Sequence, residues 1–242
     1  MLKYITVFIL ILSLSGCATF YNPATEKNEF ILIDTRSEIA LGSDIDKQIR
    51  NDLVVLKDRE MQSRLDSIGK KIAYASDRRD LNYKFGIIKD EQFNAFALPG
   101  GFIYVNSGLM NAASDDELAA VIAHEVGHIA ARHSVKRMQA NLGYQLLMNI
   151  ALGKDGSQAV SQAVGITYNF IALGFSRQDE FLADKLAVKY SRAAGYNPYG
   201  MVTFFKKLEK DKKPGLELVF LSSHPPTKER IGRVEKEIAL GN

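Results

Sequence analysis

Cysteine occurs once in the 242 residues, at position 17, so no disulfide can form within the chain and the folded part must be held by packing, helped at most by a metal. A large excess of charge of one sign is also missing. The formal net charge is +3, and no basic recognition helix or aromatic-basic motif stands beside it, so nucleic acid is not an expected partner. The densest basic run, "KKLEKDKKPG" at 206–215, is interrupted by Glu209 and Asp211 and reads as solvated surface. No apolar run is long enough to span a bilayer comfortably: the first stops at Leu14, and the stretch 143–174 is split by "GKDGSQ". Internal repeats and low-complexity segments are absent as well. With 46% hydrophobic and 24% charged residues, the remainder has the composition of one substantial globular domain.

What is present begins with the N-terminus. "MLKYITVFILILSLSGC" carries Lys3, an apolar run from Tyr4, and small residues at its end, the pattern of a secretory signal. Leu14, Ser15, Gly16 and Cys17 resemble the lipobox of bacterial lipoproteins. The expected organisation is a signal peptide over 1–16, a tether over 17–34 with its lipid on Cys17, and a folded domain over 35–242. Ala18, rather than Asp, after the cysteine favours the outer membrane by resemblance to lipoprotein sorting rules. Acyl chains hold a protein on a membrane without a spanning helix, at roughly 0.8 kcal/mol per buried methylene.

Along the domain, "TRSE" at 35–38 reads as a capping box opening a first helix, and residues 52–77 continue with helical spacing at Leu53, Leu56, Met61, Leu65, Ile68 and Ile72. From Leu81 the pattern turns to short strands, with Pro99, Gly100 and Gly101 as a turn. After Ser114 the chain reads as helical: from Ser114 to about Met138, one or two helices between Asn141 and Gly174, another over 175–194, and shorter ones near 200–212 and 226–239. A small sheet beside a mostly helical body is an α+β arrangement.

The chemistry concentrates in "SDDELAAVIAHEVGHIAARH", 114–133, which holds three of the four histidines. Ser114 and Glu117 stand at capping-box spacing, so a helix starts there. His124 and His128 then lie one turn apart on one face, able to reach one ion about 2.0–2.1 Å from each nitrogen, with Glu125 beside them. A carboxylate there suits a catalytic base rather than a ligand. The flanks Ala119 to Ala123, Ile129 and Ala130 are small or apolar nearly all round, so the helix is expected to be buried, and buried histidines with a glutamate need a compensating cation. His133 lies about 140° away round a continuous helix from His128, so it cannot complete the site and reads as a surface residue or one in a second layer behind it. A third ligand must come from elsewhere. Glu180 and Asp184 in "FSRQDEFLADKLA", 175–187, share a helix face; one can bind the metal while the other orients a histidine, and Asp179 stays open on spacing alone.

Together with "SDRRDLNYKFGIIKDEQFNAFALPGGFIYVNSGLM" before this helix and "SSHPPTKERI" near the end, these motifs cover most of 36–240. In that order they resemble the gluzincin metallopeptidases of the HtpX-like, Oma-type and CAAX-prenyl-endopeptidase family, most closely its small periplasmic lipoprotein members. The resemblance implies one Zn2+ per chain held by His124, His128 and Glu180, with Asp184 orienting His124 and Glu125 as base. It implies that Asn94, Ala95 and Phe96 belong to an edge strand on which an extended substrate pairs. It implies that His224 and Arg230 approach the catalytic water and the substrate carbonyl, or alternatively that His224 sits on the zinc and holds the enzyme inactive. The activity implied is a zinc endopeptidase on the periplasmic face of the envelope, with misfolded or misassembled envelope proteins as substrates. The rival expectation is a zinc-stabilised, chaperone-like assembly factor whose proteolysis is normally silent. Some family members carry a tetratricopeptide region after the peptidase domain; with the chain ending at Asn242, docking of that kind is not expected here.

Overall fold

The structure is a computed structural model that describes residues 19–151, 174–210, 224 and 228–241. The signal peptide and Cys17 lie outside the described residues, as do most of the apolar stretch 143–174 and the basic run beyond 210. Among the described residues, no helix is long and apolar enough to cross a membrane.

The region expected as a tether is a hairpin from its first described residue. β1 (Thr19–Asn22) pairs antiparallel with β2 (Lys27–Phe30), Thr19 opposite Phe30 and Asn22 opposite Lys27. Its inner face is held by polar contacts that no periodicity announces: Asn22 Nδ2 donates to the Ala130 carbonyl at 3.2 Å and to Glu29 at 3.0 Å. Lys136 closes the contact by donating to Glu29.

α1 (Thr35–Asp52) does not start on the expected box. Asp34 is its cap, accepting from Ser37 N at 2.7 Å, and Thr35 is already inside the helix. Glu38, which would have closed a box on Thr35, is instead 1% exposed and turned inward, accepting from Arg78 and from the Gly100 N–H. Two arginines, Arg78 and Arg132, converge on that one carboxylate, and burying them demands an anion more than the helix end does. The chain then leaves helical geometry after Asp52. Leu56 N donates to Ile87 O and Lys89 N to Val54 O, so 53–58 runs beside the sheet before Asp58 caps α2 (Arg59–Ala75). Leu65, Ile68 and Ile72 form the buried stripe of α2.

The sheet has three strands, β3 (Lys84–Ile88), β4 (Ala95–Leu98) and β5 (Phe102–Asn106), in the order β3-β5-β4. β5 is central, parallel to β3 and antiparallel to β4, and all five of its residues are buried. β4 is therefore an edge strand. The Pro99–Gly101 turn between β4 and β5 needs its glycines: Gly100 has φ 75°, and a Cβ there would stand 2.6 Å from the Ile39 Cα of α1.

The remaining elements are helices: α3 (Ser107–Ala112), α4 (Asp115–Ala130), α5 (His133–Ala151), α6 (Arg177–Ala193), α7 (Gly200–Lys210) and α8 (Lys228–Leu240). α4 is the axis of the core, with every residue from Glu117 to Ala130 buried. It packs against the sheet, α2, α6 and α7. Gly127 lets α6 come close, since a Cβ there would meet the Ala183 carbonyl at 3.1 Å. The helix expected to run to Met138 stops at Ala130. Arg132 takes φ 56°, a conformation that few non-glycine residues adopt, and α5 begins at His133. The architecture is α+β, as the patterning indicates.

Candidate metal centre

The Ser114 hydroxyl accepts from Glu117 N while the Glu117 carboxylate accepts from Ser114 N, and that capping box sets the start of α4. Two turns on, His124 and His128 point their Nε2 atoms at one another, 3.0 Å apart. α6 runs alongside, capped by Ser176, and delivers Glu180: its Oε1 is 3.4 Å from His128 Nε2, and its Oε2 is 3.5 Å from His124 Nε2. The fourth group is His224, whose Nδ1 lies 2.8 Å from Glu180 Oε1 and 3.3 Å from His124 Nε2. All four side chains are buried.

Three imidazole nitrogens and a carboxylate oxygen so close together are too rich in lone pairs to be at rest without protons or a cation between them. Donors about 2.0–2.1 Å from a tetrahedral ion are separated by roughly 3.3 Å from each other, and the separations here run from 2.8 to 3.5 Å. Charge points the same way. Glu125, Glu180 and Asp184 are at most 2% exposed and face one buried guanidinium, that of Arg230, so a dication balances the cluster. Glu125 Oε1 has no hydrogen-bond partner among the described residues. The residues present fit a metal ion.

The electrostatics of the cluster's own side chains follow from the same crowding. Burial disfavours a charged His124, but Asp184 and Glu180 overcome it and push the imidazole up to about 9. Burial drives His128 the other way, well below its ordinary value. Glu180 is held well below the carboxylate range despite its burial, because three histidines surround it. Burial raises Glu125, against the pull of His224 and His124 and a hydrogen bond from the Ala97 N–H of β4. A carboxyl raised in this way is suited to take up and return a proton.

Of the residues singled out by sequence, His124, His128, Glu180 and His224 come together here and Glu125 lies at their edge, its Oε1 3.6 Å from His224 Nε2. Asp184 Oδ1 is 3.0 Å from His124 Nδ1. Asp179, left open by spacing, stands outside the donor group. Arg230 forks its guanidinium onto Asp184 with two 2.7 Å hydrogen bonds and reaches Glu180 Oε2 at 2.7 Å, so it contacts the carboxylates around the donors. Asn94 precedes β4 and extends its ladder, its carbonyl accepting from Asn106 N; Ala95 is fully buried, and Phe96 stacks on Tyr104.

One residue is not legible in the sequence as part of the site, and another is legible only as a neighbour in a second layer. Phe175 stacks on the His128 ring with centroids 4.0 Å apart, and nothing in its sequence context marks it. His133 is 4% exposed, with its Nδ1 2.9 Å from His128 Nδ1. The 140° separation holds only on an unbroken helix, and the turn at Arg132 swings His133 back toward the site. Burial pushes its imidazole down to about 4.

The sequence profile of peptidase family M48 matches residues 59–238. The chain is 33% identical over 183 residues to the metalloprotease LoiP of Escherichia coli, an alignment that covers 74% of this chain and 71% of that protein. It is 28% identical over 210 residues to a putative beta-barrel assembly-enhancing protease of Vibrio cholerae, covering 80% of this chain and 42% of that one. It is 32% identical over 171 residues to the mitochondrial metalloendopeptidase OMA1 of Schizosaccharomyces pombe, covering 69% and 50%. It thus spans half or less of the latter two relatives. The profile runs from the first turn of α2 into α8 and so takes in every element that supplies a donor; this chain belongs to peptidase family M48, and its metal centre is that of a metallopeptidase.

Proposed function

We propose that the chain is a zinc-dependent endopeptidase, anchored through a lipid on Cys17 to the periplasmic face of a bacterial envelope, that degrades misfolded or misassembled envelope proteins. The observation that carries the chemistry is the buried donor group, since three imidazoles and one carboxylate with their ligand atoms within 4.8 Å of one another suit zinc better than the hard, oxygen-seeking cations. His124, His128 and Glu180 are the permanent ligands. Zinc, when bound there, supplies Lewis acidity that polarises a peptide carbonyl and acidifies water.

The rest is done by side chains. Glu125 takes the proton of the attacking water at its unpartnered Oε1 and returns it to the leaving amine. Asp184 orients His124, and Arg230 holds Asp184 and Glu180 in register. The open edge of β4 pairs with an extended substrate segment, and the Ala97 N–H beside Glu125 marks how near that edge runs to the base.

A relative whose name is that of a putative beta-barrel assembly-enhancing protease, and another named a metalloprotease, support envelope proteins as the substrate class. Only Ala18 separates Cys17 from β1, so the anchor would hold the hairpin close against the bilayer. Intact mass of the mature protein from membranes checks this: an unmodified Cys17 refutes the lipoprotein reading. For the reaction, the zinc-loaded chain and its Glu125→Gln variant are compared on an unfolded protein substrate. The amide keeps zinc and fold but accepts no proton, so turnover is lost. Cleavage by the variant at the parent rate removes Glu125 from the mechanism.

A further inference from the structure

The two helix-borne histidines of the donor cluster are supported differently. His124 has a carboxylate directly behind it, with Asp184 Oδ1 at 3.0 Å from Nδ1. His128, one turn further along α4, has His133 behind it instead, the two Nδ1 atoms 2.9 Å apart. Behind His133 comes a carboxylate: its Nε2 lies 3.3 Å from Asp179 Oδ1. The other oxygen of Asp179 accepts from Ser176 N at 3.2 Å and Ser176 Oγ at 2.7 Å, which fixes the carboxylate at the start of α6. We propose that His133 and Asp179 form a relay that sets the tautomer and ring orientation of His128, making His133 a positioning residue for the metal centre.

The proton count carries the argument. His128 turns Nε2 toward His124 and Glu180, and a nitrogen that ligates a metal carries no proton. Neutral His128 therefore has its one proton on Nδ1. That atom faces the Nδ1 of His133, and two ring nitrogens share one hydrogen bond only if one is bare, so His133 Nδ1 is the acceptor. The proton of His133 is then on Nε2, where Asp179 Oδ1 stands. Each assignment forces the next, and the opposite assignment at His133 would put two N–H groups head to head. Ligating histidines are usually oriented through their second nitrogen by an acceptor. Among the described residues no carboxylate stands at His128 Nδ1, and a second imidazole bridges the gap.

The backbone is shaped to the same end. His133 reaches His128 because Arg132 takes φ 56°, and Arg132 is tied by its guanidinium to the Ile33 carbonyl and the Thr35 hydroxyl. A histidine that merely filled space would need neither the left-handed residue nor a partner at each nitrogen.

The inference rests on the reading that the cluster holds zinc, and the test separates the two. Zinc affinity of the full chain in detergent is measured by chelator competition for the parent, His133→Leu, His133→Asn and Asp179→Asn. Asn places its amide oxygen close to where Nδ1 of histidine stands, so it keeps the acceptor for His128, whereas Leu removes it. Losing such a partner typically weakens metal binding about 10- to 100-fold. His133→Leu should fall in that range, His133→Asn should recover to within about threefold of the parent, and Asp179→Asn should lie between. Folded His133→Leu protein that binds zinc as tightly as the parent overturns the relay, as does an Asn variant no better than the Leu variant. If the Leu variant does not fold, nitrogen-15 NMR of the zinc-loaded parent decides: protons on His128 Nδ1 and His133 Nε2 support the relay, and a proton on His133 Nδ1 overturns it. A parent that binds no zinc ends the zinc reading and the relay together, while tight parental binding with an unaffected His133→Leu ends only the relay.

Discussion

Arg230 is among the largest side chains in the protein to be fully buried, at 2% exposure, and it keeps its charge there. Burial alone would lower its basicity, yet the fork onto Asp184 and the contact with Glu180 raise it. The same pairing outweighs burial at Asp184 and holds that carboxyl below its ordinary range. These are reciprocal statements about one buried ion cluster, and breaking such a cluster from one side leaves uncompensated charge at a cost of about 3–5 kcal/mol. Arg230→Met should therefore lower the chemical unfolding midpoint by an amount of that order, and more in the metal-free protein, where no bound cation offsets the stranded carboxylates. Arg230→Lys keeps the charge but loses the planar fork, so its loss should be smaller but not zero. Denaturant titrations with and without zinc check both, and an unchanged midpoint for Arg230→Met would mean the cluster carries no such energy. The resemblance placed Arg230 near the substrate carbonyl, six residues after His224. Sequence spacing could not reveal that α8 turns this side chain toward α6, because Asp184 and Glu180 lie about 50 residues earlier in the chain.

The elements differ in how openly the sequence declares them. Helices with one apolar stripe, such as α2 with Leu65, Ile68 and Ile72, are written in local periodicity, and so is the capping box at Ser114. The hairpin is not, because four-residue strands give too few alternations to register, and its inner face is held by Asn22 and Glu29 rather than by apolar residues. The end of α4 is likewise silent, since its left-handed residue is an arginine and no glycine marks it. The cap falls at Asp34, one residue before the position that the box pattern of Thr35 and Glu38 indicates, because a distant arginine pair claims Glu38. Where the box does form, on α4, it has a consequence that can be measured. Ser114→Ala should cost about 0.5–2 kcal/mol. Burial would raise the Glu117 carboxyl, but Lys207 and the Ser114 N–H outweigh it and its pKa is lowered on folding. A depressed folded value means that the stabilisation is complete above the ordinary glutamate pKa and disappears as the pH falls through the lower folded value. Glu117→Gln should flatten the acid limb of the stability profile over that interval. Unfolding midpoints between about pH 3 and 7 test this, and parallel profiles for variant and parent would remove Glu117 from the acid sensitivity.

At the scale of the whole molecule the centre is built from three places in the chain, and His224 is the member that neither metal-binding helix supplies. It lies 100 residues beyond His124 and is 2% exposed, yet its Nδ1 stands among the donors where a catalytic metal keeps an open position for water and substrate. With His224 there, Glu125 Oε1 faces an imidazole 3.6 Å away and not a reactant. If His224 is a latch on the metal, this arrangement is the closed one and turnover waits on its departure. Arg230, bound to Asp184 and Glu180, can keep α8 docked while His224 withdraws, so opening need not dismantle the helical body. His224→Ala should then raise specific activity on an unfolded protein substrate, measured at matched zinc occupancy, while weakening zinc binding through loss of one donor. If His224 serves instead as a donor to the developing oxyanion, its loss costs about 3 kcal/mol, on the order of a hundredfold in rate. The two roles have opposite signs in one assay. A hundredfold fall with no rise under any condition would reject the latch and leave His224 with a catalytic task alone.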